Sequence, residues 1–132
     1  MDDCGFHNVW DIVLYDNIIL SDDNALNNFF HTTLKKYEFK VLGQLCHKFC
    51  SGGQGVTGLF LLSESHLSFH TYPETNYISI DIYTCGKNAP GMHHDIEKFF
   101  YNSKRFVFRN IARGSQVSAW NCKEDKHNAA NK

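Results

Sequence analysis

The stretch Tyr77-Ile78-Ser79-Ile80-Asp81-Ile82-Tyr83 alternates without a break between isoleucine and a polar or aromatic residue. Successive side chains of a β-strand point to opposite faces, so this segment belongs in a sheet with one apolar and one polar face. The isoleucine face has to be covered, and two segments can cover it. Ser21-Asp22-Asp23 offers a helix cap, and Leu26, Phe29, Phe30, Thr33 and Leu34 then recur at helical spacing to about residue 37. Pro90-Gly91 opens a second helix over about 92–103.

Further strands are expected at 9–14, 39–49, 56–62, 66–72 and 106–111, with a glycine-rich loop around Gly52, Gly53 and Gly55. The order is β-α-β-β-β-β-α-β. It predicts an α+β fold: a two-layer α/β sandwich with a mainly antiparallel sheet and helices on one face. The other face is left solvated or free to meet a partner.

Composition narrows the function. The net charge is −1, and lysines and arginines form no stripe, so neither a nucleic-acid nor an acidic-membrane partner is expected. No apolar run approaches the roughly 20 residues of a membrane span. Met1-Asp2-Asp3-Cys4 lacks the basic and apolar layout of a signal peptide, so a cytoplasmic location is expected. Cysteines at 4, 46, 50, 85 and 122 form no C-x-x-C pair, and no metal site is expected. His93-His94-Asp95 reads as a capped, solvated helix start, because adjacent helical residues diverge too far to chelate one ion. One domain over 1–121 is expected, with a polar, disordered tail at 122–132.

The chemistry concentrates in Ser63-Glu64-Ser65-His66-Leu67-Ser68-Phe69-His70-Thr71-Tyr72-Pro73-Glu74 and in Thr84-Cys85-Gly86. On the strand after Glu64, His66, Ser68, His70 and Tyr72 should share the open face, and Leu67 and Phe69 should face the helices. By themselves the two histidines read as a half-exposed polar strand. A hydroxyl directly after the Glu64 carbonyl, followed by a histidine and a lone thiol, is a set of parts for acyl chemistry on the chain's own backbone.

These segments closely resemble the prokaryotic, short form of the S-adenosylmethionine decarboxylase proenzymes. Gly55-Val56-Thr57-Gly58, Gly5-x-His7 with Asp11, and Arg113-Gly114 extend the resemblance over about 5–114. It implies a self-processing, pyruvoyl-dependent enzyme. Ser65 would attack the carbonyl of Glu64, and the chain would split into a β chain, 1–64, and an α chain, 65–132. Ser65 would become the pyruvoyl group that forms a Schiff base with S-adenosylmethionine. Loss of CO2 would give decarboxylated S-adenosylmethionine for spermidine synthesis. The resemblance also implies that His70 accepts a proton in processing, that Thr57 (usually Ser in the family) assists, and that Cys85 donates a proton in decarboxylation. Glu74 would bind the ribose hydroxyls and Phe49 would stack on adenine. A homodimer of processed protomers is implied, with sites between protomers. Two rival readings stay open: an arginine or ornithine decarboxylase with the same machinery, and an inert homologue acting as a partner protein.

Overall fold

Ile78, Ile80 and Ile82 are buried, while Tyr77, Ser79, Asp81 and Tyr83 on the opposite face keep contact with solvent. The computed structural model describes residues 3–117, so the tail expected at 122–132 lies outside the described residues. Within them the elements are β1 (Gly5–Leu14), α1 (Asp23–Lys36), β2 (Val41–Lys48), β3 (Val56–Leu62), β4 (Ser65–Tyr72), β5 (Tyr77–Cys85), α2 (Pro90–Phe99) and β6 (Ser103–Arg113). The strands form one sheet in the order β2-β3-β4-β5-β1-β6, and every neighbouring pair is antiparallel. This is the α+β two-layer sandwich that the element order predicts.

Both helices cover the isoleucine face. Leu26, Phe30 and Leu34 of α1 and Met92, Ile96 and Phe100 at α2 pack on Trp10, Ile12, Phe60, Leu67, Phe69 and the three isoleucines. Each large apolar side chain buried this way contributes about 1.5–3 kcal/mol. Phe30 stacks on Phe69 with ring centroids 4.7 Å apart. Room for that ring comes from Gly58, its cross-strand neighbour, where a Cβ would lie 2.1 Å from the Phe69 ring.

The structure moves several boundaries. β1 begins at Gly5, four residues before the expected start, because β5 and β6 pair with it on both sides. α2 stops at Phe99, and Ser103, expected in the helix, opens β6. α2 also has no side-chain cap: Ala89 occupies the cap position and Pro90 supplies the first turn. His93 is not a solvated residue. It lies half-buried on Phe108, its Nδ1 accepts a hydrogen bond from Trp10 Nε1 at 3.1 Å, and burial lowers its pKa. Asp95 accepts the Tyr37 hydroxyl at 2.7 Å and Lys36 Nζ at 2.9 Å, which holds its carboxyl below the usual range. Of the three residues, His94 alone is exposed. None of the described helices is long and apolar enough to cross a membrane.

On the open face the edge of the sheet is apolar. Leu45 pairs with Leu59, and both stay exposed together with Leu61. These leucines leave an apolar strip uncovered at that edge of the sheet.

Candidate active site

β3 and β4 are joined by Ser63 and Glu64 alone, with Leu62 paired to Ser65. Two-residue hairpin loops favour glycine or asparagine, which accept positive φ at low cost. Neither residue is present, and the positive φ falls instead on Ser65, at +140°. A non-glycine residue held in such a region costs about 1–3 kcal/mol. The ordinary strand period would put Ser65 on the helix side with Leu67. Its Oγ instead lies 3.2 Å from Nδ1 of the adjacent His66.

Glu64 is held at both ends. Its peptide carbonyl accepts a hydrogen bond from Cys85 N–H at 3.2 Å, and its Oε1 accepts from Lys40 N–H at 3.3 Å. An N–H aimed at this carbonyl polarises it toward attack and would steady an oxyanion formed there. Cys85 is exposed and carries a free thiol. Burial, and after it the neighbouring Cys85 thiol, pushes the Tyr83 hydroxyl pKa up.

Thr57 and His70 sit directly opposite each other across β3 and β4, with Thr57 Oγ1 3.1 Å from His70 Nδ1. They line a cleft of about 310 Å³ with Phe49, Gly53, Tyr72 and Glu74. Phe49 is 47% exposed, so its ring is available to a ligand rather than part of the core. The glycine loop lies against Glu74 so closely that a Cβ on Gly53 would sit 2.4 Å from Glu74 Oε1.

The residues singled out in the sequence therefore form two groups, and the chain does not bring them together. Glu64, Ser65 and Cys85 lie at one end of β4, and Thr57, His70, Phe49 and Glu74 at the other. Ser65 and His70 are five strand positions apart, about 17 Å at roughly 3.3 Å per residue.

The open face also carries a polar network that the motif reading passes over. Asp81 Oδ2 accepts from His7 Nε2 at 2.7 Å, and Asp81 Oδ1 accepts from the Ser68 hydroxyl. Arg113 Nη1 lies 3.1 Å from His7 Nδ1. A guanidinium only donates, so His7 Nδ1 is the acceptor and its Nε2 carries the hydrogen given to Asp81. His66 Nε2 stands 3.7 Å from the same carboxylate oxygen. The signal was present in the alternation: His7, Tyr83 and His66 occupy one row across β1, β5 and β4, beside Asp81 and Ser68 in the next alternate row. Further along, Asp11 accepts the Tyr77 hydroxyl and, at 3.0 Å, Arg109 Nη1.

Residues 6–114 match the family model described as S-adenosylmethionine decarboxylase. An S-adenosylmethionine decarboxylase proenzyme of Synechococcus sp. (strain WH7803) is 40% identical over 85 residues, 64% of this chain and 65% of the relative. The match thus spans a little under two thirds of that relative's length. A proenzyme of the same description from Prochlorococcus marinus (strain MIT 9211) is 32% identical over 86% of this chain and 92% of its own length. The crystal structure of the adenosylmethionine decarboxylase from Aquifex aeolicus superposes with a TM-score of 0.66 at 25% identity, covering 86% of this chain and 93% of that one.

Proposed function

This chain belongs to the S-adenosylmethionine decarboxylase family, and we propose that it is a pyruvoyl-dependent decarboxylase of S-adenosylmethionine that makes its own cofactor. The observation that carries this reading is the Glu64–Ser65 hairpin: a serine with strained φ follows a carbonyl held by the Cys85 N–H. Ser65 Oγ attacks the Glu64 carbonyl carbon, and the peptide bond becomes an ester. Elimination across Ser65 then expels the Glu64 carboxylate and divides the single domain into 1–64 and 65–132, and hydrolysis by one water releases ammonia and leaves a pyruvoyl group at residue 65. That group supplies an electrophilic carbonyl and an electron sink for the departing carboxylate.

The other residues take their parts from position and chemistry. His70, hydrogen-bonded to Thr57, takes up the proton removed in the elimination. The Cys85 thiol, next to the cleavage site, returns a proton to the substrate carbon after CO2 leaves. A thiol carries an S–H hydrogen that it can give up. Phe49 and Glu74, on one cleft, suit an adenine ring and ribose hydroxyls.

Groups about 17 Å apart on one strand cannot act on one bond. We assign the His70 end of each site to a second copy of the chain, in a homodimer whose interface includes Leu45, Leu59 and Leu61 on the same open face. The product, decarboxylated S-adenosylmethionine, suits spermidine synthesis.

The test is CO2 release from S-adenosylmethionine, arginine and ornithine, with a denaturing gel and mass spectrum of the same preparation. Two chains in place of one of 15.2 kDa, a pyruvoyl mass on the 65–132 chain and turnover of S-adenosylmethionine alone are expected. Turnover of arginine or ornithine alone would reassign the substrate, and an uncut chain would favour the inert reading.

A further inference from the structure

The Ser65 hydroxyl must lose a proton as it attacks, and His70 is too far along the strand of its own chain to take it. Among the hydrogen bonds of the described residues, the group beside Ser65 Oγ is His66 Nδ1, at 3.2 Å. We propose that His66 is the catalytic base for the acyl shift from nitrogen to oxygen at Ser65, acting within one protomer and before His70 is needed. This inference rests on the reading of the chain as self-processing.

Three observations support it. The first is orientation. Neighbours on a strand normally face opposite ways, and the φ of +140° at Ser65 cancels that rule at this one position. The second is the tautomer. His66 Nε2 faces the Asp81 carboxylate at 3.7 Å, an orientation that favours hydrogen on Nε2 and leaves the Nδ1 lone pair toward Ser65. A serine, a histidine and an aspartate in this order share the logic of hydrolase triads, and such contacts are often long before the reacting geometry forms. The third is the anchoring of that carboxylate. His7, fixed by Arg113, and Ser68 both donate to Asp81, which holds the side chain in place. Asp81 and His7 are positioning residues in this scheme.

The step balances without water or a redox partner. The Ser65 Oγ–H proton passes to His66 Nδ1 as Oγ bonds to the Glu64 carbonyl carbon. Its oxygen gains charge against the Cys85 N–H. The carbon–nitrogen bond to Ser65 then breaks, and the leaving nitrogen takes the proton back from His66. An ester and a free amine replace the amide.

The experiment follows ester formation in freshly translated full-length chain, with hydroxylamine to cut any ester. His70→Ala is the reference, because it should stall after the shift and accumulate ester. His70→Ala with His66→Ala should form ester at least about 10²-fold more slowly, the low end of what a positioned base contributes. Added imidazole should restore much of the rate, since the site is partly open. His66→Gln in the same background keeps a polar side chain of similar reach, should be equally slow, and covers the case in which alanine disturbs the strand. Equal ester formation in the double variants would overturn the proposal. So would a slow but natively folded His66→Ala chain that imidazole does not restore, because that outcome assigns His66 a structural role. A wild-type chain that never cleaves would overturn the self-processing reading itself, and this inference with it.

Discussion

Mixing two dead chains should produce a live one. Ser65→Ala lacks the nucleophile, and His70→Ala lacks the proton acceptor for elimination, so neither should cut itself. The five strand positions between them amount to about 17 Å, far beyond side-chain reach, so under the proposed scheme a complete site takes Ser65 from one copy and His70 from another. In a mixed dimer one site then lacks both groups and the other has both. Random pairing of equal amounts places about half of the His70→Ala chains in mixed dimers. About half of all the His70→Ala chains, and none of the Ser65→Ala chains, should therefore be cut on co-expression. Tags of different mass distinguish the two chains on a denaturing gel. The reasoning fails if the chains co-purify and both remain whole, or if His70→Ala alone is cut as fast as wild type.

Three other predictions test separate parts of the structure. Gly58→Ala should cost about 1–3 kcal/mol, the usual range for overpacking, because its Cβ would meet the Phe69 ring at 2.1 Å; an unchanged urea midpoint would show that the Phe69 ring shifts freely. Cys85→Ala keeps the backbone N–H on Glu64, so the chain should still be cut, while CO2 release falls by about 10²-fold or more. Retention of full turnover would remove Cys85 from the proton-donor role. Burial lowers the His93 pKa in the folded protein. The unfolded chain then binds more protons below about pH 6.5, so stability is full above that value and falls as pH drops through it. His93→Gln should lose part of that acid sensitivity, read as the difference in urea midpoint between about pH 7.5 and pH 5.5; equal differences in the two proteins would contradict it.

The sheet and its two faces were legible because period-two alternation survives in β3, β4 and β5, each buried on one face. β2 was harder to bound, since from Leu42 onward every residue is exposed and no burial pattern marks its ends. His93 escaped because its partner, Trp10, lies 83 positions away and only the fold brings them together. The candidate site residues are visible as a motif, but the motif by itself does not display their division into two distant groups. Counting five positions along a strand would have been enough. The contact of Ser65 with His66 could not be counted, because it depends on a φ that periodicity takes to be ordinary.

The strand order has a mechanical consequence for a chain cut after Glu64. The piece ending at Glu64 would own β1, α1, β2 and β3, and the piece beginning at Ser65 would own β4, β5, α2 and β6. In the sheet, β1 lies between β5 and β6, so a strand of the first piece is clasped on both edges by strands of the second. A second seam joins β3 to β4. Pulling the halves apart would require unzipping three ladders at once. Such a break would therefore release a chemically new terminus without loosening the scaffold that aims it, and the covalent bond could be sacrificed because the weave makes it redundant.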